Sequence, residues 1–219
     1  MFVVNRGGQI TCNRENCKKQ FAGHRQFSEH LMRFHRVQVI EDENGTVIEG
    51  ELFIMTAHVP KVAGRESYKL WGKFTPQIEV GYFNAFLEAM QTFQGGTEDQ
   101  FFVNNRVTLR IEPPNDDIVH GPSGSAAVFC AVFGLACNRL CSSDTVVSAT
   151  LERGQLFGVG SLLFKIRAAK AERMKTLVLL VDNQLEWEEI AASAPHEIGT
   201  TLKPKFVENV YQLIEAVLV

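Results

Sequence analysis

Several things are missing from this 219-residue chain. No Gly-x-x-x-x-Gly-Lys-Ser/Thr loop occurs anywhere, so the residues that cradle nucleotide phosphates in an ATPase motor are absent. No apolar run approaches the roughly 18–20 residues that span a bilayer. The longest, Ala126 to Ala136, is interrupted by Gly134. The opening MFVVNRGGQITC has no basic start leading into an apolar signal core. There is no internal repeat and no low-complexity tract. The five cysteines are odd in number and unevenly placed, which argues against a disulfide framework and for a reducing compartment. These absences place the chain inside the cell, in cytoplasm or nucleus, and away from membranes. With 45% hydrophobic residues and a net charge of −3, it can bury a substantial core.

Charge is distributed unevenly. Residues 1–38 carry Arg6, Arg14, Lys18, Lys19, Arg25, Arg33 and Arg36 against Glu15 and Glu29, a net of +5. The remaining 181 residues therefore hold 15 bases and 23 acids, a net of −8. Such asymmetry predicts two modules, of which only the first favours a polyanion.

Within the first module, ITCNRENCKKQFAGHRQFSEHLMRFH sets Cys12 and Cys17 ahead of His30 and His35. Two thiolates from a short knuckle and two imidazoles from a helix face make a tetrahedral site for structural Zn2+. Phe21 and Phe27 fall where such a small ββα module needs apolar support. The stretch resembles a two-Cys, two-His zinc finger with a widened knuckle. Counted from His30, the base-reading positions fall on Gly23, Gln26 and Glu29, a poor set for sequence recognition. Lys18, Lys19, Arg25 and Arg33 suit phosphate contact without sequence reading, and a protein-contact or purely structural finger is the alternative. The expected division is a finger over 1–38, a linker over 39–46 around an Asn-Gly turn, and a second module over 47–219.

Apolar periodicity in the second module predicts strands at 47–58 and 67–74, then an amphipathic helix at 76–94. A strand at 106–111, an apolar helix at about 123–140 and a strand at 145–151 follow. A helix at about 161–173, a strand at 176–181 and a closing helix at about 205–218 complete the chain. This order implies an α/β or α+β fold in packed layers. Ser123, in HGPSGSAAVFC, stands between a Gly-Pro turn and the apolar helix. It reads as a helix N-cap or as a nucleophile, and the second role requires a base. His120 is three residues away and is the candidate base the local sequence offers. His58 and His196 read as ordinary histidines, and Cys130, Cys137 and Cys141 as buried thiols rather than a metal or thiol site.

HGPSGSAAVFCAVFGLACNR and RGQLFGVGSLLFKIRAAKAERMKTLVL resemble the two signature blocks of the Lon (S16-type) peptidase domain. GELFIMTAHVPK and VYQLIEAVL are similar to its opening strand and closing helix, so the resemblance covers about 45–219. It implies a layered α+β domain of the ribosomal S5 domain 2-like kind, assembly into rings, and peptide hydrolysis by a Ser–Lys dyad. By that resemblance the nucleophile falls on Ser123. The lysine falls on Leu163, because Arg153-Gly154-Gln155, Ala168-Ala169 and Lys175-Thr176 hold the register without a gap. Lys165 lies two residues on, about 200° round a helix. The acid before Gly-Pro-Ser becomes His120, the Thr-Gly-Glu segment becomes Val147-Ser148-Ala149, and Ser125 replaces a glycine. The bacterial RadA family offers a similar pairing of a zinc motif with a non-peptidase Lon-like domain, though with four cysteines and an ATPase. The expected function is therefore a zinc-binding scaffold with an inactive Lon-type domain that self-associates or docks a protein, nucleic acid being a further partner for the finger. The alternative is an ATP-independent serine peptidase using Ser123 with a relocated base.

Overall fold

A computed structural model describes the backbone of residues 2–4, 10–12, 20–21, 33–41, 47–58, 68–71, 74–94, 101–112 and 121–219. Side chains are described at 57, 70, 74–93, 101–102, 105–110 and 121–219. Three short strands, β1 (Phe2–Val4), β2 (Ile10–Cys12) and β3 (Gln20–Phe21), form a small antiparallel sheet. The main sheet is built from β4 (Arg33–Glu41), β5 (Val47–His58), β6 (Tyr68–Trp71) and β7 (Val107–Glu112) together with β8 (Thr145–Ser148), β11 (Thr176–Leu180) and β12 (Lys203–Val207). Their order is β12-β11-β8-β4-β5-β7-β6. The first four in that order run parallel, β5 is antiparallel to both neighbours, and β6 is parallel to β7.

Strands buried on both faces need apolar residues at successive positions, and β11 (TLVLL) supplies them. Val178 and Leu180 join one core while Leu177 and Leu179 join the other. On the first face lie α1 (Pro76–Gln94), α2 (Phe101–Asn104), α3 (Ser125–Cys137) and α7 (Val210–Val217). On the second lie α4 (Leu162–Ala171), α5 (Gln184–Ser193) and α6 (Pro195–Ile198). The result is a mixed sheet between two helical layers. α3 is apolar almost all round because it is enclosed by α1, the sheet and α7. Edge-to-face contacts of Phe93 with Phe101, Phe102 and Phe133 tie α1, α2 and α3 together.

Several expected elements coincide with the structure: 47–58 is β5, and 76–94 is α1. Others differ. The closing helix starts only at Val210, since Lys203–Val207 is the edge strand β12 and Asn209 caps α7 through the amides of Tyr211 and Gln212. The stretch 145–151 splits into β8 and β9 (Thr150–Glu152), and β9 pairs with β10 (Gln155–Phe157), expected as a turn. The boundary expected at 38–39 falls inside β4, which is hydrogen-bonded to β5 on one side and β8 on the other. His35, expected on a helix, is a residue of that strand, opposite Ile54 and Val146. Of the other residues expected to ligate zinc, Cys12 ends β2, while Cys17 and His30 lie outside the described residues, as do the side chains of Cys12 and His35.

Candidate functional site

The Ser123 segment is shaped by Gly121 and Pro122. Gly121 adopts φ 75°, a conformation costly for other residues, and turns the chain into a 3-10 turn over Pro122–Gly124. Proline at the first helical position has a φ already suited to it and lacks an N–H that would otherwise need a partner. Helical backbone thus begins before Ser123, which corrects the N-cap expectation. Neither the turn nor α3 has a side-chain cap; the cap positions are Gly121 and Gly124. Ser123 is half-buried, and its hydroxyl bonds to no described residue.

Ser125 does the local bonding instead. Its buried Oγ accepts a 2.7 Å hydrogen bond from the Leu151 N–H, and the Ala126 N–H donates to the Ala149 carbonyl at 3.3 Å. Together they fasten residues 149–151 to the start of α3. The chain then reverses through Arg153 (φ 50°) and Gly154 (φ 76°), a two-residue turn with both φ positive that suits the twist of β9 and β10. Ser148 is fully buried, and its Oγ has no partner among the described residues.

The loop after β10 is fixed from the far side of α4. Asn183 Oδ1 accepts from the Val159 N–H at 2.9 Å while its Nδ2 donates to the Val159 carbonyl at 2.7 Å. Glu186 Oε1 accepts from the Leu162 N–H at 3.2 Å, so a carboxylate stands at the amino end of α4. On α4, Leu163 is half-buried, whereas Lys165 is enclosed at 2% exposure with Leu162, Ile166, Ala168 and Ala169. Both the Ser123 turn and α4 pack against β4.

His120 lies outside the described residues, as does the side chain of His58. His196 is exposed beside Glu197. Burial pushes the Cys130 thiol up, reinforced by the charge Cys141 would carry, and pushes Cys141 up to about 12; Cys137, half-buried, is also raised by burial. Among the described residues no three of His, Cys, Asp and Glu gather as metal ligands. No helix among them is long and apolar enough to cross a membrane. Ser125, Asn183 and Glu186 were missed as positioning residues. The serine had one sequence signal, its departure from a glycine. Asn183 lies between β11 and α5 and Glu186 in the first turn of α5, and no periodicity marks either as a positioning residue.

The chain is 27% identical over 124 residues to a Lon protease of Wolbachia pipientis, covering 56% of this chain and 14% of that protein. It is 34% identical over 99 residues to Lon protease 4 of Sorangium cellulosum, covering 45% and 12%. Against the mitochondrial Lon protease homolog 3 of Arabidopsis thaliana it is 23% identical over 142 residues, covering 64% and 15%. It therefore aligns with only about one-seventh of these relatives. The model of the Lon protease (S16) C-terminal proteolytic domain matches residues 13–219, and the chain belongs to that family.

Proposed function

We propose that this chain is a Lon-type proteolytic domain without Ser–Lys peptidase chemistry, acting as a self-associating or partner-binding scaffold with a zinc-held amino-terminal segment. One observation carries the first half. The position that the family resemblance assigns to the lysine base is Leu163, a hydrocarbon side chain in the first turn of α4. A serine hydroxyl needs a base within about 2.6–3.2 Å, directly or through one water. Ser123 has no hydrogen-bond partner among the described residues, which supports the same reading. The Cys12, Cys17, His30 and His35 spacing supports zinc. Four protein ligands would close the coordination sphere and leave the metal a structural role.

The test of peptidase loss is direct. Purified protein should neither cleave unstructured peptides nor react at Ser123 with a fluorophosphonate. Turnover that disappears in Ser123→Ala would overturn the reading. The alternative, a serine peptidase with a relocated base, is favoured by the enclosed amine of Lys165 on the same helix. Were turnover found, its loss in Lys165→Met or in His120→Ala would identify the base. For zinc, purified protein should hold one equivalent, released by chelator and reduced in Cys17→Ser. The wild-type circular dichroism assignable to 121–219 should persist after chelation. A metal-free chain with unreactive Cys12 and Cys17 would exclude the site.

A further inference from the structure

Three of the seven large apolar side chains exposed among the described residues belong to one place: Phe157 (45%), Val181 (40%) and Leu185 (67%). They come together through a tight junction. Gly158, just after β10, lies against the start of α5, where a Cβ would stand 3.1 Å from Asn183 Oδ1 and 3.4 Å from Asp182 Cβ. The bonds of Asn183 with Val159 and of Glu186 with the Leu162 N–H hold the two segments in place. Phe157 and Val181 thus flank one fixed contact, and Leu185 stands one helical turn beyond Val181. Gly160, two residues on, has open space where a side chain would be. Single exposed apolar residues need no explanation, but three gathered by a built junction form a patch.

The rim of this patch is acidic. Residues 176–202 hold Asp182, Glu186, Glu188, Glu189 and Glu197 and neither lysine nor arginine. Asp182 precedes Leu185 by one turn, and Glu188 and Glu189 follow it by one, all three exposed. Glu197 pairs with Arg167, whereas the other four form no ion pair with a described residue. Asp182 and Glu186, four apart, and Glu186 and Glu189, three apart, repel one another along this helical run. A basic neighbour would relieve that repulsion. Nothing described in this chain supplies one together with apolar residues. The other exposed large apolar side chains are Val80 and Phe83 on α1, Tyr211 on α7 and Val219 beyond it, and neither helix has a lysine or arginine. An amphipathic helix with flanking bases presents both kinds of residue on one face, at the spacing of Val181 and Leu185. We propose that the patch of Phe157, Val181 and Leu185 receives a basic amphipathic helix of another protein. The inference rests on the partner-binding reading above and names the partner's chemistry. Attraction to the carboxylates would speed encounter and weaken with salt, while the apolar trio would provide the contact that salt leaves intact.

The probe is a fluorescein-labelled peptide of roughly 18 residues, with leucines at i, i+3, i+4 and i+7 and lysines beside them. Fluorescence anisotropy with the full chain should show binding that weakens with salt. A control of the same composition with its leucines scattered should bind about tenfold less tightly or worse. Leu185→Ser, at an exposed position, should weaken binding about tenfold. Glu188→Lys with Glu189→Lys should weaken it similarly, and that variant should instead bind the peptide remade with glutamates in place of lysines. Misfolding cannot produce this exchange. No binding by wild type, equal binding of the control, or indifference to either set of substitutions would overturn the contact. A wild type that self-associates through Leu185 and binds no peptide would assign the patch to a second copy and reject another protein as its occupant. Cleavage of the bound peptide would instead overturn the scaffold reading and leave the contact standing.

Discussion

Ser123 and Ser125 are two residues apart, and their hydroxyls have opposite circumstances. The Ser125 Oγ is buried and accepts from a buried amide 26 positions along the chain, whereas Ser123 is half-buried and bonds to no described residue. Ser125→Ala would leave the Leu151 N–H buried without an acceptor, a loss of about 1–3 kcal/mol. Ser123→Ala removes no such bond and should fall within about 0.5 kcal/mol of wild type. Urea unfolding midpoints of the two variants measure the contrast, and equal destabilisation would reject it. The sequence showed the Gly-Pro-Ser turn, yet it misjudged which serine does structural work. Capping preference identifies residue types that stabilise a helix start but not where the helical backbone begins, and Pro122 moves that point ahead of Ser123. The partner of Ser125 lies on another element, beyond the reach of any local rule.

Elements with strong local periodicity were legible. α1 repeats apolar residues at helical spacing, and β5 follows the sequence Asn44-Gly45, a turn signal, so both are marked locally in the sequence. β12 was hidden because KPKFV contains a proline and two lysines, features that blunt the outer edge of a sheet against pairing with another chain. β4 was hidden by its arginines and by the expected finger, although Val37, Val39 and Ile40 favour a strand. The closing segment is held to α3 by pairing between Leu140 and Val219 and by Arg139 Nη2 donating to the Leu218 carbonyl at 2.7 Å. Gly134 permits that closeness. A Cβ there would lie 3.0 Å from Leu218 Cδ2 and 3.1 Å from the Arg139 carbonyl oxygen. Leu218 is 3% exposed and has little room to move. Gly134→Ala gains helix propensity of about 1 kcal/mol but forces an overpacked contact costing about 1–3 kcal/mol. We expect a lowered Tm, with faster amide exchange at 217–219. An unchanged or raised Tm would show that the carboxyl-terminal segment yields without cost.

Across the whole molecule, the two cores on either side of one sheet explain why composition was informative about class but not about the site. Apolar content and strand–helix order specify layers, whereas the Ser123 region is assembled from loops at the ends of elements far apart in sequence. The same enclosure sets a pH limit. Cys130 and Cys141 sit in the α3-side core, where burial disfavours the thiolate and raises both folded-state pKa values, that of Cys141 to about 12 from an ordinary 9.0. A group whose folded pKa lies above its unfolded value contributes stability that is complete below the unfolded pKa. That contribution is lost as pH rises through the folded one. Unfolding free energy should therefore fall between about pH 9 and pH 12, because only the unfolded chain ionises these thiols readily. Cys130→Ala with Cys141→Ala should flatten the slope in that window while lowering stability at neutral pH through the cavities left behind. Urea titrations at stepped pH provide the measurement. A double variant with the wild-type slope above pH 9 would show that other groups govern alkaline unfolding. Thiol reagents give a second readout: Cys130 and Cys141 should react at neutral pH only when the domain opens, at a rate that follows its unfolding equilibrium.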